Sequence, residues 1–493
     1  MRFQSKQIPC LRRVSSQVLH QEQTLEMRLD DSMPAISRVI GTWGQVVLRG
    51  KEWRSGSVQV SGGVTVWVLY LSEEGHCHSV EGWVPFSWKV DLPSGIRDGS
   101  VIVSGLLRSV DGRELTPKKL MVRANMGLQI QILTPDQIAA WEPEEVPEHV
   151  CLRRQKLPVR MPAEAGEKPF PLDERLTLPA GSPKPDRILY YRLQPEVIDK
   201  KVMADKVVFR GTAVLQLVYL GEDGRLHCVR LEVPFAQYGE LTGQYGEDAQ
   251  AVITMAVTGL SLQQQDDGSL LLSGGMTGQF LVYEMQEIEL VTDAYSTRMD
   301  ARCKLETLTL PAAQELQSRT IPCETRISCG GLSPVDAVFW PEQPCRTRTE
   351  AGLSLELAGR FQLLGYNREG EPEAIWCDWS AEPVPLDQDG EPETAVWPTG
   401  TVQVEPRGED AAARAELLVD VVTFESREVD ALSELELQEK EMTERPSLIL
   451  RRPGADSLWD IAKAAGSTEK AIREANALEG EPEPNRMLLI PVL

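Results

Sequence analysis

The sequence has few histidines and no long run of apolar residues. It contains 5 histidines in 493 residues, and none follows His227, so a histidine-based catalytic site would have to lie in the first half. No stretch approaches the roughly 18 apolar residues that a membrane-spanning helix needs. Residues 1–10 lack the apolar core of a signal peptide, and we expect the chain to stay in the compartment that makes it.

Closely spaced cysteine pairs are also missing. The 9 cysteines are an odd number and none forms a Cys-x-x-Cys pair, which gives a zinc site little support. Without an export signal, reduced thiols that serve as packing groups are expected. His76, Cys77 and His78 are the one cluster of metal-ligand type, but they follow a glycine turn on a predicted strand. An ordinary hairpin therefore explains them better than a metal site.

No motif of an enzyme class is present. We find no nucleophile elbow, phosphate-binding loop, dinucleotide-binding glycine triplet or His-Glu-x-x-His, so neither a catalytic residue nor a cofactor is predicted. The net charge of −23 works against binding to nucleic acid or to anionic lipid. The length predicts about three or four domains.

What the sequence does contain is an internal repeat. Residues 58–71 and 207–220 share one strand pattern, and the positions that follow keep a constant offset of 149 residues. The matched pairs are Gly62 and Gly211, Tyr70 and Tyr219, Gly75 and Gly224, and Pro85 and Pro234. A weaker third copy surrounds Gly359, Tyr366 and Gly370, with residues 383–385 as the counterpart of the Val-Pro-Phe that follows each turn.

The repeat has the character of β-strand pairs. Apolar residues alternate at Val64, Val66 and Val68, and an acidic pair followed by glycine supplies a tight turn. The prediction is a mainly β fold of three tandem sandwich-like repeats, at 15–135, 168–298 and 303–438. Polar, proline-bearing stretches at 141–147 and 161–171 are predicted to separate the first two. Similar phrases recur at 151–158 and 303–311, so some connectors are expected to belong to the repeat, to pair across it and to be ordered. The acidic stretch 425–444 is predicted to be a solvated helix or connector.

Residues 447–493 have a different pattern. A short strand precedes Asp456 and Ser457, which cap a helix near 458–465, and a second helix near 469–475 leads to a final strand. The prediction is a small β-α-α-β domain. Its predicted core is Leu458, Trp459, Ile461, Ala462, Ile472, Ala475 and Leu489.

This last segment resembles a LysM domain. The matching residues are 453–454, 456–462, 475–478 and 488–491, with one departure: Ala455 stands between the glycine and the aspartate that the family usually places together. The resemblance implies a glycan groove built from the loop before the first helix and the loop after the second. The binding residues that it implies, toward a partner or a glycan, are Gly454, Asp456, Ser457, Leu458, Asn476, Ala477 and Leu478.

The repeats resemble SPOCS domains of spore-coat assembly proteins over most of residues 15–438, and SPOCS repeats followed by LysM resemble the SipL type of coat morphogenetic protein. The resemblance implies a non-enzymatic scaffold in the mother-cell cytoplasm, at the forespore surface. Its LysM domain would dock on the coat-basement ATPase, and its repeats would bind other coat proteins or self-associate. The alternative is a protein that binds peptidoglycan or another N-acetylglucosamine glycan. A cell-wall hydrolase would need a catalytic domain, whereas the three large units resemble one another.

Overall fold

β-strands make up most of the chain, as the sequence predicts. The structure is a computed structural model that describes residues 1–493 except 343, 350–351, 387–390, 440–445, 481 and 484. We divide it into segment I (3–143), segment II (150–296), segment III (299–439) and the C-terminal segment (447–493).

Segment I forms two antiparallel three-stranded sheets. Its strands are β1 (Phe3–Arg28), β2 (Ile36–Arg54), β3 (Ser57–Ser72), β4 (Cys77–Asp91), β5 (Ser100–Thr116) and β6 (Lys119–Pro143). The first sheet has the order β1-β6-β5 and the second β2-β3-β4. Buried side chains of both sheets, among them Val64, Val68 and Met126, belong to one core cluster.

Segment II has a related strand order. Its strands are β7 (Val150–Leu176), β8 (Pro185–Gly221), β9 (Leu226–Tyr245), β10 (Gln250–Gln264) and β11 (Leu270–Ser296). One sheet has the order β10-β11-β7, and β8 pairs with β9 in the other. The single strand β8 covers the positions that correspond, 149 residues earlier, to β2 and β3 together. It contains Ala204, whose backbone has a positive φ of 48°.

In segment III, as in segments I and II, the first strand pairs with the last. Its strands are β12 (Met299–Ser328), β13 (Ser333–Pro341), β14 (Cys345–Thr349), β15 (Gly352–Glu356), β16 (Ala358–Tyr366), β17 (Pro372–Ser380), β18 (Val384–Pro385), β19 (Glu391–Arg407) and β20 (Asp410–Glu439). The sheet orders are β12-β20-β19, β13-β16-β17 and β14-β15-β18.

The C-terminal segment contains the two helices of the described residues. Its elements are β21 (Leu448–Arg451), α1 (Leu458–Ala465), α2 (Glu469–Asn476) and β22 (Leu488–Pro491). β21 and β22 pair antiparallel.

The repeated glycines lie where strands approach closely. Gly62 pairs with Phe86, and Gly211 with Phe235, at the same point of the two hairpins. A Cβ on Gly62 would overlap the carbonyl oxygen of Val47 on β2, and a Cβ on Gly211 would overlap that of Glu196, earlier in β8 itself; each would also meet the paired phenylalanine ring. Glycine is therefore required by the close packing of these strands.

The third copy differs from the sequence alignment. Gly359 pairs with Trp379 of β17, so an aromatic residue again lies opposite the glycine. The predicted counterpart, residues 383–385, is wrong, because Val384 pairs with Leu355 in a different sheet. The strand breaks at Leu357, and β15 and β16 consequently pair with different strands.

The two proline-bearing stretches differ: residues 144–147 lie between β6 and β7, whereas residues 161–171 form part of a long strand. Residues 161–171, predicted to separate two units, lie inside β7 and pair with β11. Pairing of β1 with β6 runs from Phe3 opposite Pro143, and β7 begins at Val150, ahead of the predicted starts at 15 and 168. β7 is an edge strand, where a proline does not interrupt a second ladder. Residues 161–171 are therefore an ordered edge strand of segment II, in agreement with the expectation that connectors pair across the repeat.

The acidic stretch is also a strand where it is described. Within β20, residues 425–439 pair with residues 299–312 of β12, which corrects the predicted helix or connector. The remainder of that prediction, 440–444, lies outside the described residues. Alternating exposure explains the composition: Ala431, Leu432 and Leu435 are buried, while Glu434 and Glu436 face outward.

The three segments pack on one another at two levels. The largest core cluster joins residues of segments I and II with Val338, Trp340 and Leu364 of segment III. At the end of the long strand pairs, a second cluster again draws on all three segments. Its buried members are Cys10, Ala140, Leu157, Val159, Met161, Ile288, Leu290, Leu310 and Ala431. The three segments therefore share buried surface and are not independently packed domains.

Candidate partner-binding module

Local capping sets the two helices of the C-terminal segment. Ser457 is the N-cap of α1, where its hydroxyl accepts from the backbone N–H of Asp460, and Thr468 caps α2 in the same way. Gly466 ends α1 in the left-handed conformation at φ 68°. These caps satisfy backbone groups that the helices leave unpaired, so the short helices have defined ends.

The core of this segment differs from the predicted one at two positions. Ala475 is exposed and Leu489 is only partly buried, whereas Leu488 and Ile490 are buried. The pairing of Ile449 with Ile490 fixes which face of β22 points inward, and a shift of one residue reverses the face. The other five predicted core residues, Leu458, Trp459, Ile461, Ala462 and Ile472, are buried together.

The loop before α1 carries four of the predicted binding residues. Gly454 is exposed with φ 62°, and Asp456 is exposed and forms an ion pair with Arg451. The Ser457 hydroxyl is used by the helix cap. Leu458 is fully buried, so it can support the loop but cannot touch a ligand.

The loop after α2 carries the other three. The Asn476 amide donates to the carbonyls of Ile472 and Leu489 at 2.8 and 2.6 Å and accepts from the N–H of Leu489 at 2.8 Å. Ala477 has a left-handed backbone at φ 50° and ends α2. Leu478 packs on the same core cluster as Leu458, so each loop contributes a leucine to the core of the segment. Asn476 thus holds α2 to β22.

The C-terminal segment is seated on segment II. The indole Nε1 of Trp459 donates to Asp293 at 2.8 Å, and the Lys463 ammonium lies 2.8 Å from the same carboxylate. The Tyr295 ring meets Trp459 edge-on with 4.8 Å between centroids, and its hydroxyl donates to the Ser467 carbonyl at 3.0 Å. Asp293 and Tyr295, the two contact residues of segment II, lie near the end of β11.

The charge of Asp293 is favoured at this contact. Burial raises the pKa of its carboxyl, but the hydrogen bonds from Lys463 and Trp459 and the charge of Lys463 outweigh it, and the pKa is lowered from 3.8. Asp293 therefore remains ionised and paired at neutral pH. Sequence reasoning did not find Asp293 or Tyr295, because nothing in a strand pattern shows that a distant helix packs there.

An apolar outer face was also not predicted. Leu448, Leu450, Met487 and Leu493 are 46, 63, 51 and 55% exposed and lie on or beside the two-stranded sheet. Because Ile449 and Ile490 point inward, their neighbours on both strands point outward. In the sequence, the run Leu-Ile-Leu at 448–450 indicates this outer face, because a strand that is apolar at successive positions has apolar side chains on both faces. The face leaves several apolar side chains in water, which is typical of an interaction surface.

Comparison with known families matches two parts of the chain. The family model described as "SipL, SPOCS domain" matches residues 35–108 and 184–264. These two parts of the chain are similar to SPOCS domains. The starts of the two matches differ by 184 minus 35, or 149 residues, which is the offset of the internal repeat. No curated protein and no solved structure matches the chain.

The SPOCS matches coincide with the central hairpins of segments I and II. The first spans β2 to β4 and part of β5, and the second spans β8 to β10. Gly62 and Gly211, with their close strand contacts, lie inside the two matches. The C-terminal segment is thus fastened to the last strand of the second SPOCS-bearing segment.

The cysteine and histidine cluster lies on the hairpin of β3 and β4, where Cys77 pairs with Leu71 and His78 with Tyr70. Burial raises the pKa of the Cys77 thiol to about 12, which disfavours the thiolate that a metal needs. Within the described residues, no three His, Cys, Asp or Glu side chains are grouped to hold a metal ion. None of the nine cysteines forms a disulfide bond in the described residues. No helix among the residues described is both long and apolar enough to cross a membrane.

Proposed function

We propose that this chain is a non-enzymatic scaffold of the spore envelope, in which SPOCS repeats form the body and a LysM-like module docks on a coat protein. The observation that carries the proposal is the pair of SPOCS matches at the repeat offset. On this proposal, the protein is located on the mother-cell side of the forespore surface. Its binding partners on this proposal are the coat-basement ATPase and other coat proteins.

The third SPOCS-like repeat and the sandwich arrangement belong to this proposal. Segments I, II and III each pair their first strand with their last and place a penultimate strand beside it. In each, an aromatic residue lies opposite the repeat glycine, at Phe86, Phe235 and Trp379. These shared features support three copies of one unit, the third of them divergent.

The LysM-like assignment rests on the order of elements and on the caps. The segment runs β21, α1, α2 and β22, and each of the two loops that the LysM resemblance implies contributes a leucine to the shared core. The outer face with Leu448, Leu450 and Met487 offers a protein partner apolar contact area. Docking of a protein is therefore favoured over binding of a glycan.

The test places the chain in sporulating cells as a fluorescent fusion. We expect the double variant Leu448→Glu and Leu450→Glu to lose its forespore localisation, because two charges on the outer face would disrupt apolar docking. Lys470→Glu is the matched control, since Lys470 is exposed on α2 away from that face, and it should localise normally. Normal localisation of both the double variant and a chain lacking 447–493 would contradict the proposal.

A peptidoglycan pull-down separates the glycan alternative. What favours this alternative is the exposure of Gly454 and Asp456 in the loop before α1. Saturable retention that is lost in Asp456→Ala, with localisation of the glutamate double variant intact, would support glycan binding. No retention by folded wild-type protein would support docking on a protein.

A further inference from the structure

A cavity of about 120 Å³ lies where segments I, II and III meet. β2 and β5 of segment I, β8 and β10 of segment II and the end of β13 in segment III all contribute to its walls. Most of the wall is apolar, including Val46, Leu106, Leu128, Met255 and Val257. It is separate from the C-terminal segment and from the function proposed above.

One charged side chain, that of Arg192, is among the residues that line this cavity. Its guanidinium carbon lies 4.3 Å from the ring centroid of Trp340, and its Nε is buried with no hydrogen-bond partner in the described structure. Burial lowers the pKa of Arg192 to about 10, so the side chain is still charged at neutral pH. Arg192 as a whole is partly buried, and a guanidinium at an apolar cavity with no carboxylate bound to it favours an anion beside it.

The nearest carboxylate on the protein is engaged elsewhere. Asp336 accepts from the Tyr190 hydroxyl at 2.6 Å and from the Gln216 amide at 2.5 Å, and Arg230 approaches it at 3.6 Å. Its charge assists Arg192 at a distance, but the two do not form a direct ion pair. Among the described residues, no carboxylate forms an ion pair with Arg192, so its guanidinium beside the cavity is left for an anionic ligand.

We propose that this cavity binds a small monocarboxylate whose charged group pairs with Arg192 and whose compact apolar body fills the space between the segments. The volume sets the size, because apolar cavities of about 150 Å³ accept a single benzene ring. One ring or a branched chain of similar bulk fits, and a long acyl chain does not. Such a ligand would contact all three segments and stabilise their junction.

Calorimetric titration of the full chain with benzoate and with benzyl alcohol tests the proposal. We expect saturable binding of one benzoate, with an affinity about ten- to a hundredfold above that of the neutral alcohol, since a hydrogen bond to a charged group distinguishes them. Equal affinities, or no saturation by benzoate at millimolar concentration, would overturn it.

Two variants locate the site. Arg192→Leu should reduce benzoate affinity to that of the alcohol, and Ala256→Leu should weaken both ligands by filling the cavity while Arg192 stays in place. Unfolding midpoints in the absence of ligand show whether each variant is folded. Retained benzoate binding in folded Arg192→Leu, or in folded Ala256→Leu, would overturn the proposal. If one variant fails to fold, the other variant and the comparison of the two ligands still decide the question.

Discussion

Gly211 shows how tightly a single position can be constrained in this fold. A side chain there would overlap the carbonyl of Glu196 on one side and the ring of Phe235 on the other. Neither neighbour is a flexible side-chain end, because one is backbone and the other a ring packed in the core. The strands would have to separate to accept even a methyl group.

We expect Gly211→Ala to lower the free energy of unfolding by about 1–3 kcal/mol, the usual cost of overpacking a core. Gly246→Ala is the matched control, since a Cβ at Gly246 would lie in open space and should change little. Equilibrium denaturation of both variants gives the comparison. An equal loss in the two variants would show that the strand contact is not responsible.

At single residues, burial was predicted correctly from the sequence where the two-residue alternation of a strand decides which side chains are buried. The alternation that placed Val64, Val66 and Val68 inside agrees with their complete burial. It failed where a one-residue register decides, as at Leu489, which is partly buried while Leu488 and Ile490 are core residues. Asp293 could not be found at all, because its role depends on a helix 166 residues away.

At the scale of elements, α1 depends on a strand of segment II. It is 8 residues long, and such a helix is marginal in water without tertiary packing. Trp459 and Lys463 on one side of α1 both bind Asp293. The strand end and the helix therefore stabilise each other, and loss of the carboxylate charge should loosen the helix first.

We expect Asp293→Asn to weaken the seating of α1 by about 1–2 kcal/mol, which corresponds to a 5- to 30-fold loss of amide protection. Hydrogen exchange of residues 458–465 at neutral pH measures it. Glu479→Gln is the control, because Glu479 is an exposed carboxylate of the same segment. Unchanged protection in Asp293→Asn, or an equal loss in the control, would contradict the role of Asp293.

Protonation of Asp293 in acid should weaken the packing of α1 in the wild-type chain, as Asp293→Asn does at neutral pH. Because the folded-state pKa of Asp293 is lowered from 3.8, its contribution is fully present above that value. The contribution is lost as the pH falls below 3.8 through the folded pKa. The difference in protection between wild type and Asp293→Asn should therefore shrink in that acidic range, and a constant difference down to low pH would exclude titration of this group as the cause.

For the whole molecule, the sequence predicted the β class and the repeat spacing but not the shared junctions. Proline and acidic composition suggested separators at 161–171 and 425–444, yet the described residues of both are strands. Residues 161–171 lie on the edge strand β7, and residues 425–439 of the central strand β20 pair with β12 alone. The composition of a strand with one hydrogen-bonded neighbour resembles that of a linker, since both face water. Contacts between repeats leave no periodic signal.

Gln279 is the clearest of these junction residues. It is fully buried on β11, and its amide donates to the carbonyl of Val103 at 2.8 Å while its carbonyl accepts from the N–H of Val103 at 2.8 Å and from Lys51 at 2.6 Å. One side chain of segment II therefore completes the backbone hydrogen bonding of β5 in segment I.

We expect Gln279→Met, which keeps the shape and removes the hydrogen bonds, to lower the free energy of unfolding by at least about 2 kcal/mol, because buried polar groups of segment I lose their partner. Since one core cluster spans the segments, calorimetry should show a single main transition that moves to lower temperature as a unit. Gln263→Met, exposed on β10, is the control and should stay within about 0.5 kcal/mol of wild type. A separate early transition of segment I in the wild-type chain would mean that the shared core does not couple the repeats, because each would then unfold on its own stability.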